Sequence, residues 1–171
     1  VLYIKAPGLL EKRLNAKEKQ ADQKKVVAGS GLLFLASFVS AGLDFRFGLT
    51  AVPDWLVIAA SVILLLSYAM YAEVMRENAY LSRTVEVQEG QKVVDTGLYG
   101  VIRHPMYAAT VFLFLSIPLV LGSWIAFVIF LGYPAAIVVR IRNEEEVLRA
   151  GLDGYEEYTK RVRWRLIPFV W

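Results

Sequence analysis

Cysteine is absent from this chain of 171 residues, and histidine occurs once, as His104. Without cysteine the protein has neither thiol catalysis nor a cysteine-ligated metal, and one histidine offers little to any other metal site. Charged residues are also few, at 20% against 57% hydrophobic residues, and the mean hydropathy is +0.47. This balance is too apolar for an ordinary soluble domain and is typical of a membrane protein.

The few charges are segregated, and long apolar runs lie between them. Residues 26–49 and 53–75 are each long enough to cross the hydrocarbon core, which takes about 20 helical residues. Residues 106–141 have no charge before Arg140 and divide at Gly122 into runs 106–122 and 123–141, which predicts a helical hairpin. We therefore expect an all-α integral membrane protein with at least four transmembrane helices. A fifth span, missing before Val1, stays open.

The remaining segments carry the charge. Residues 1–25 predict an amphipathic arm at the lipid headgroups, residues 76–105 a polar loop and residues 142–171 a charged C-terminal segment. Segments 1–25, 76–105 and 140–171 hold seven, four and seven basic residues, which is 18 of the 19 in the chain. Because basic residues resist translocation, these segments are predicted to share the cytoplasmic side of a multi-pass protein. The net charge of +3 favours anionic lipid as a partner, and nothing indicates nucleic acid.

The polar loop ends in the sequence GLYGVIRHPMY, residues 97–107, directly before an apolar run. Gly97 follows a threonine in a turn and lets the backbone approach a ligand closely. Taken singly, Arg103 is explained as a side chain that reaches up to the membrane surface, His104 as a helix cap before a proline, and Tyr99 and Tyr107 as an aromatic belt. Taken together, beside a loop with enough apolar residues to fold onto the helix ends, they indicate a polar pocket.

A second charged cluster lies at the far end of the hairpin, in RIRNEEE. Arg140 and Glu144 are four residues apart and share a helix face, whereas Glu145 points about 140° away from Arg140. Because the start and end of a hairpin lie at the same membrane face, this cluster should meet RHPMY there. Carboxylates, a cation and an imidazole placed half out of water are typical of a cofactor or substrate site.

The two clusters, followed by GYEEY and a closing RLIP, resemble the isoprenylcysteine carboxyl methyltransferase and phospholipid methyltransferase superfamily over roughly residues 80–168. The resemblance implies a multi-span membrane enzyme that uses S-adenosylmethionine, releases S-adenosylhomocysteine, needs no metal and holds its cofactor in a cytoplasmic pocket of the C-terminal half. The expected acceptor is the C-terminal carboxylate of a prenylated cysteine, which would become a methyl ester. Such an enzyme would lie in the plasma membrane of a prokaryote or the endoplasmic reticulum of a eukaryote.

The resemblance also implies roles for individual residues. Arg140 would orient the acceptor carboxylate, and Glu144 or Glu145, between which two alignments of the motif disagree, would contact the cofactor. The resemblance implies further cofactor contacts from Gln91, Lys92, Val93, Val94, Tyr99, His104, Pro105, Met106 and Tyr107. Gly97 is added to them because its turn lets the backbone approach a ligand.

Two other activities stay open. A phospholipid amine as acceptor would need a proton acceptor, for which the glutamates could serve. Membrane sterol reductases, which use NADPH, have a similar C-terminal architecture but need basic residues for the 2′-phosphate, and the loop offers only Arg83, Lys92 and Arg103. A third possibility is a non-catalytic membrane scaffold, but such a scaffold would leave the long ordered loop 76–105 unexplained.

Overall fold

The computed structural model describes residues 21–81 and 85–171. Within these ranges every regular element is a helix, which confirms the all-α prediction; of the predicted N-terminal arm, residues 1–20 lie outside the described part of the chain. The elements in chain order are α1 (Ala21–Phe47), α2 (Asp54–Glu77), a 3₁₀ helix (Gly97–Gly100), α3 (Pro105–Val120), α4 (Trp124–Phe130), α5 (Gly132–Gly151) and α6 (Tyr155–Arg161).

Three segments of the described chain are long and apolar enough to cross a membrane, namely Lys25–Phe47, Asp54–Glu77 and Trp124–Gly151. The helix α3 is apolar but has only 16 residues. At 1.5 Å per residue it covers roughly 24 Å of a hydrocarbon core about 30 Å thick. The four predicted apolar segments are therefore all helical, but one of them is short.

The fourth apolar segment differs from the single helix 123–141 that the sequence predicts. It consists of α4 and α5, which meet at Leu131. Pro134 has no N–H to donate to the carbonyl of Phe130, so the helical hydrogen bonding is interrupted there. The second part continues past Ile141 to Gly151, because the charged residues that follow are good helix formers.

The predicted hairpin turn is confirmed at Gly122. This glycine has φ +78°, a conformation in which a side chain would be strained. Ser123 then caps α4, because its hydroxyl accepts a hydrogen bond from the amide of Ala126 at 3.1 Å. The turn returns the chain antiparallel to α3 and so carries the end of α5 back toward Pro105.

The helices pack in two groups that share an aromatic centre. α2 lies against α3, and α1 lies against α4 and α5. The ring of Phe34 on α1 contacts Phe114 of α3 and Phe130 of α4 edge-on, with centroids 4.6 and 5.0 Å apart. Tyr133 of α5 stands 5.0 Å from Phe114. These contacts hold the two ends of the hairpin in a fixed relation beneath the polar cluster.

The opposite end of the bundle is joined by a buried carboxylate. Asp44, near the end of α1, is 1% exposed and accepts hydrogen bonds from the amide and hydroxyl of Thr50 and the hydroxyl of Ser123. The indole N–H of Trp124 reaches the carbonyl of Ala51 at 3.2 Å. The α1–α2 loop is thereby tied to the hairpin turn.

The loop between α2 and α3 folds back onto the helix ends, as its apolar content predicts. The side-chain amide of Asn78 donates to the hydroxyl of Tyr99 at 2.9 Å, and that of Gln88 donates to the carbonyl of Tyr80 at 2.6 Å. Arg161 of α6 forms a salt bridge with Asp95 at 2.8 Å. Apart from residues 82–84, the loop is therefore a described and packed part of the fold.

Candidate active site

The two charged clusters meet, as the hairpin predicts. Nε of Arg103 donates to Oε1 of Glu145 at 2.8 Å, and Nε2 of His104 lies 3.3 Å from the same oxygen. On the neighbouring face the hydroxyl of Tyr107 donates to Oε2 of Glu144, and Nε of Arg140 donates to that hydroxyl at 2.9 Å. Each glutamate of the pair therefore binds a different part of the RHPMY sequence.

Glu145 and Arg103 form a buried ion pair. Their side chains are 5% and 4% exposed. The second carboxylate oxygen accepts from Nε of Arg165 at 3.0 Å, and Arg103 also donates to the carbonyls of Val162 and Arg163 at 2.9 and 3.1 Å. The interpretation of Arg103 as a side chain that reaches the membrane surface is wrong, because the C-terminal segment covers it. The pair fastens that segment to α3 and α5.

The backbone continues this connection. The amides of Arg103 and His104 donate to the carbonyls of Trp164 and Arg165, each at 2.9 Å. His104 is the N-cap residue of α3, as predicted, with the extended φ of −126° that a following proline favours. Its side chain makes no capping bond, however, and points to Glu145 instead.

Beside these clusters lies a cavity with about 820 Å³ of empty space, counted out to its open mouth. Nine of the residues predicted to contact a cofactor line it: Gln91, Lys92, Val93, Val94, Tyr99, His104, Met106, Tyr107 and Glu144. The loop, the start of α3, the end of α5 and α6 all contribute walls. The fold thus brings these nine residues of the loop, α3 and α5 to one place.

The other predicted site residues lie outside the lining. Glu145 is behind the wall in its ion pair, and Pro105 is fully buried at the first position of α3. Gly97 has φ +55° and faces Glu77. A Cβ atom added to Gly97 would lie 3.4 Å from the carboxyl carbon of Glu77. Arg140 stands next to the lining residue Tyr107, with its guanidinium carbon 5.9 Å from the ring centre. The roles predicted for these residues remain predictions.

Several lining residues were not selected from the sequence. They are Asn78, Tyr80, Leu81, Val85, Glu86, Val147, Leu148, Leu152, Tyr155 and Tyr158; Arg103, predicted at the pocket but not as a cofactor contact, also lines it. A signal existed for two of them, since the tyrosines of GYEEY are three residues apart and share one face of α6. The loop residues have no such periodic pattern, because only the fold of the loop places them at the cavity.

Burial changes the ionisation of the lining tyrosines. It raises the pKa of Tyr99 to about 12; the hydrogen bond from Asn78 opposes this shift, and the nearby carboxylate of Glu144 adds a smaller increase. Burial also raises the pKa of Tyr155 and of Tyr158. These phenols are therefore neutral at physiological pH and act as hydrogen-bond donors or acceptors, not as bases.

The helical fold and the cavity define a class: a helical membrane protein with an open cavity at one end of its helix bundle. The profile of the Isoprenylcysteine carboxyl methyltransferase (ICMT) family matches residues 51–150, and the chain belongs to that family. Its fold resembles the solved structure of the eukaryotic intramembrane Ras methyltransferase ICMT, with a TM-score of 0.66, 19% identity and coverage of 82% of this chain and 52% of that one.

Two curated relatives are similar over part of their length. The Delta(14)-sterol reductase of Mus musculus is 31% identical over 91 residues, which are 52% of this chain and 22% of the reductase. The uncharacterized protein YpbQ of Bacillus subtilis (strain 168) is 33% identical over 96 residues, which are 56% of each chain. The chain thus spans less than two thirds of these relatives and of the solved structure.

Proposed function

We propose that this chain is a methyltransferase that uses S-adenosylmethionine to methylate the C-terminal carboxylate of a prenylated cysteine within the membrane. Family membership supports the reaction class. The observation that carries the proposal is the convergence of Tyr107, Arg140 and Glu144 at the edge of one cavity. A cation for a carboxylate acceptor therefore stands beside a carboxylate that suits a positively charged cofactor.

The lining fits this cofactor. Hydrophobic and aromatic side chains with a few polar groups line the cavity, as is usual for a ligand site. Its basic residues are Lys92 and Arg103, and Arg103 is already held by Glu145 and two carbonyls. S-adenosylmethionine has no phosphate, so a cation is needed only for its carboxylate, which Lys92 can meet. Its sulfonium and amino groups are favoured by the negative charge of Glu144.

The chain's part in the reaction is to position the reactants. When bound, S-adenosylmethionine supplies a methyl group activated by the sulfonium. The acceptor carboxylate is already ionised at neutral pH, so no general base is needed. Arg140 holds that carboxylate, and the hydroxyl of Tyr107 bonds both Arg140 and Glu144, which keeps the acceptor side and the cofactor side at a fixed separation.

The cavity also suits a substrate divided between water and membrane. It lies where α2 ends and α3 begins, at the end of the bundle with most of the basic residues. We place this end in the cytoplasm, so that a water-soluble cofactor enters there and a lipid-modified acceptor enters between the helices. In a prokaryote this membrane would be the plasma membrane, and in a eukaryote the endoplasmic reticulum.

Two other reactions compete with this proposal, and the same purified protein serves to test them. Methylation of a phospholipid amine would use Glu144 to accept the amine proton. A reductase activity is suggested by the similarity to the sterol reductase over 91 residues. NADPH has a 2′-phosphate that requires cations, and with Arg103 already held by Glu145 and two carbonyls the lining offers Lys92 for it, which disfavours this activity.

Calorimetric titration of the protein in lipid nanodiscs, with S-adenosylhomocysteine and in parallel with NADP⁺, separates these classes. We expect micromolar binding of the first and none of the second. Binding of NADP⁺ alone would refute the methyltransferase proposal.

The acceptor is identified with cofactor that carries a radioactive methyl group. A prenylcysteine acceptor should yield product from which base releases volatile methanol, because esters hydrolyse in base. Label that resists base and migrates with phospholipid would assign the amine acceptor instead.

A further inference from the structure

One polar atom at the cavity has no partner. Tyr155, the first residue of α6, is 4% exposed and lines the cavity. Among the buried side-chain nitrogen and oxygen atoms of residues 21–81 and 85–171, the hydroxyl oxygen of Tyr155 is the one without a hydrogen-bond partner. A buried hydroxyl left in this state carries a desolvation penalty. A ligand in the cavity can remove that penalty by accepting the hydrogen bond.

The other tyrosines of the lining are engaged. Tyr158, one turn later on the same helix, donates to the carbonyl of Tyr99 at 2.7 Å. The hydroxyl of Tyr99 accepts a hydrogen bond from the side chain of Asn78, and the hydroxyl of Tyr80 donates one to the carbonyl of Gly90. The hydroxyl of Tyr107 donates to Glu144 and accepts from Arg140. Tyr155 is thus singled out by its bonding and not by its residue type.

The surroundings of Tyr155 limit the chemistry of the acceptor. Burial raises the pKa of its phenol, which therefore keeps its proton and acts as a donor. The carboxylates of Glu145 and Glu144 interact electrostatically with it, and the opposing effect of the guanidinium of Arg103 is smaller than that of each carboxylate. An anionic acceptor would meet a net repulsion, so an uncharged oxygen or nitrogen is favoured.

The position of Tyr155 limits which part of the cofactor reaches it. Leu152, Leu148 and Val93 pack around it and form an apolar end of the cavity. Leu148 lies about two turns beyond Arg140 on α5, which is roughly 12 Å along the helix axis. The reacting methyl group belongs beside Arg140, and a flat aromatic base suits the apolar end.

We propose that the hydroxyl of Tyr155 donates a hydrogen bond to a ring nitrogen of the cofactor's adenine, held among Val93, Leu148 and Leu152. This inference rests on the proposed function, because it requires an adenosine cofactor. It makes Tyr155 a specificity residue for the base.

The test compares Tyr155→Phe with the matched control Tyr158→Phe. Each purified variant is titrated with S-adenosylhomocysteine and with its deaza analogues, in which one ring nitrogen at a time is replaced by C–H. The wild type should bind S-adenosylhomocysteine about fivefold more tightly than Tyr155→Phe does. One analogue, which lacks the nitrogen that Tyr155 contacts, should bind the wild type about fivefold more weakly than S-adenosylhomocysteine does. Tyr155→Phe should bind that analogue and S-adenosylhomocysteine with equal affinity.

The melting temperature without ligand supplies a second readout. Tyr155→Phe should melt at or slightly above the wild-type temperature, because it removes an unpaired buried hydroxyl. Tyr158→Phe should melt lower, because it breaks the bond to Tyr99, and should discriminate among the analogues as the wild type does.

The outcomes separate the inference from the function on which it rests. The adenine contact alone is refuted if the wild type binds S-adenosylhomocysteine and Tyr155→Phe binds every compound as tightly as the wild type does. It is also refuted if Tyr155→Phe binds every compound more weakly than the wild type by one and the same factor. If the wild type binds none of the compounds, the proposed function is refuted and the inference with it.

Discussion

Glu144 and Glu145 are adjacent in the sequence but should respond oppositely to the same substitution. Glu145→Gln removes the negative charge from a pair whose side chains are 5% and 4% exposed. Breaking a buried pair from one side costs about 3 to 5 kcal/mol. We expect about 3 kcal/mol, the low end, because glutamine can still accept from Arg103 and because Arg165 is 31% exposed.

For a chain of this length 1 kcal/mol lowers the melting temperature by about 2 to 4 °C, so Glu145→Gln should melt roughly 6 to 12 °C lower. Glu144→Gln keeps an acceptor for Tyr107 on a partly exposed side chain, and its melting temperature should change by less than about 2 °C. It removes the charge offered to the cofactor, so the affinity for S-adenosylhomocysteine should fall at least about tenfold.

Both variants are measured in nanodiscs, with unfolding followed by tryptophan fluorescence and affinity by calorimetry. At a temperature where both are folded, Glu145→Gln should lose less affinity than Glu144→Gln. The reasoning would be refuted by the reverse pattern, in which Glu145→Gln keeps the wild-type melting temperature and loses the ligand. That result would make Glu145 the cofactor contact.

Two more predictions concern the acceptor and the orientation. Arg140→Ala should lower methyl transfer at least about a hundredfold while the affinity for S-adenosylhomocysteine changes less than about threefold, and retained turnover would exclude its role with the carboxylate. Because the chain has no cysteine, single cysteines can be placed at Glu89 in the loop and at Leu49 at the opposite end, both exposed. In intact cells a membrane-impermeant maleimide should label Leu49→Cys only, and labelling of Glu89→Cys would reverse the orientation.

The meeting of the two clusters could be predicted because it depends on few quantities. Two apolar runs with a glycine between them predict a hairpin, and a hairpin brings its two ends together. The helical period then separates Glu144 from Glu145, which is why the first shares Tyr107 with Arg140 and the second faces Arg103.

The burial of Arg103 could not be predicted in the same way. A basic residue next to an apolar run usually extends to water. Here the last residues of the chain cover it, through the carbonyls of Val162 and Arg163 and the guanidinium of Arg165 beside Glu145. No local pattern reports that a segment about sixty residues later will supply these partners.

The sequence alone determined the helical class, the polar loop and which end of each helix carries charge, because hydrophobic runs and proline positions act over a few residues. Only the tertiary structure decided that Glu144 faces the cavity while Glu145 is sealed behind it, and that Tyr155 lacks a partner where Tyr158 has one. Hydrogen bonds join residues that are distant in the chain, and their pairing is set by how the helices, the loop and the C-terminal segment pack.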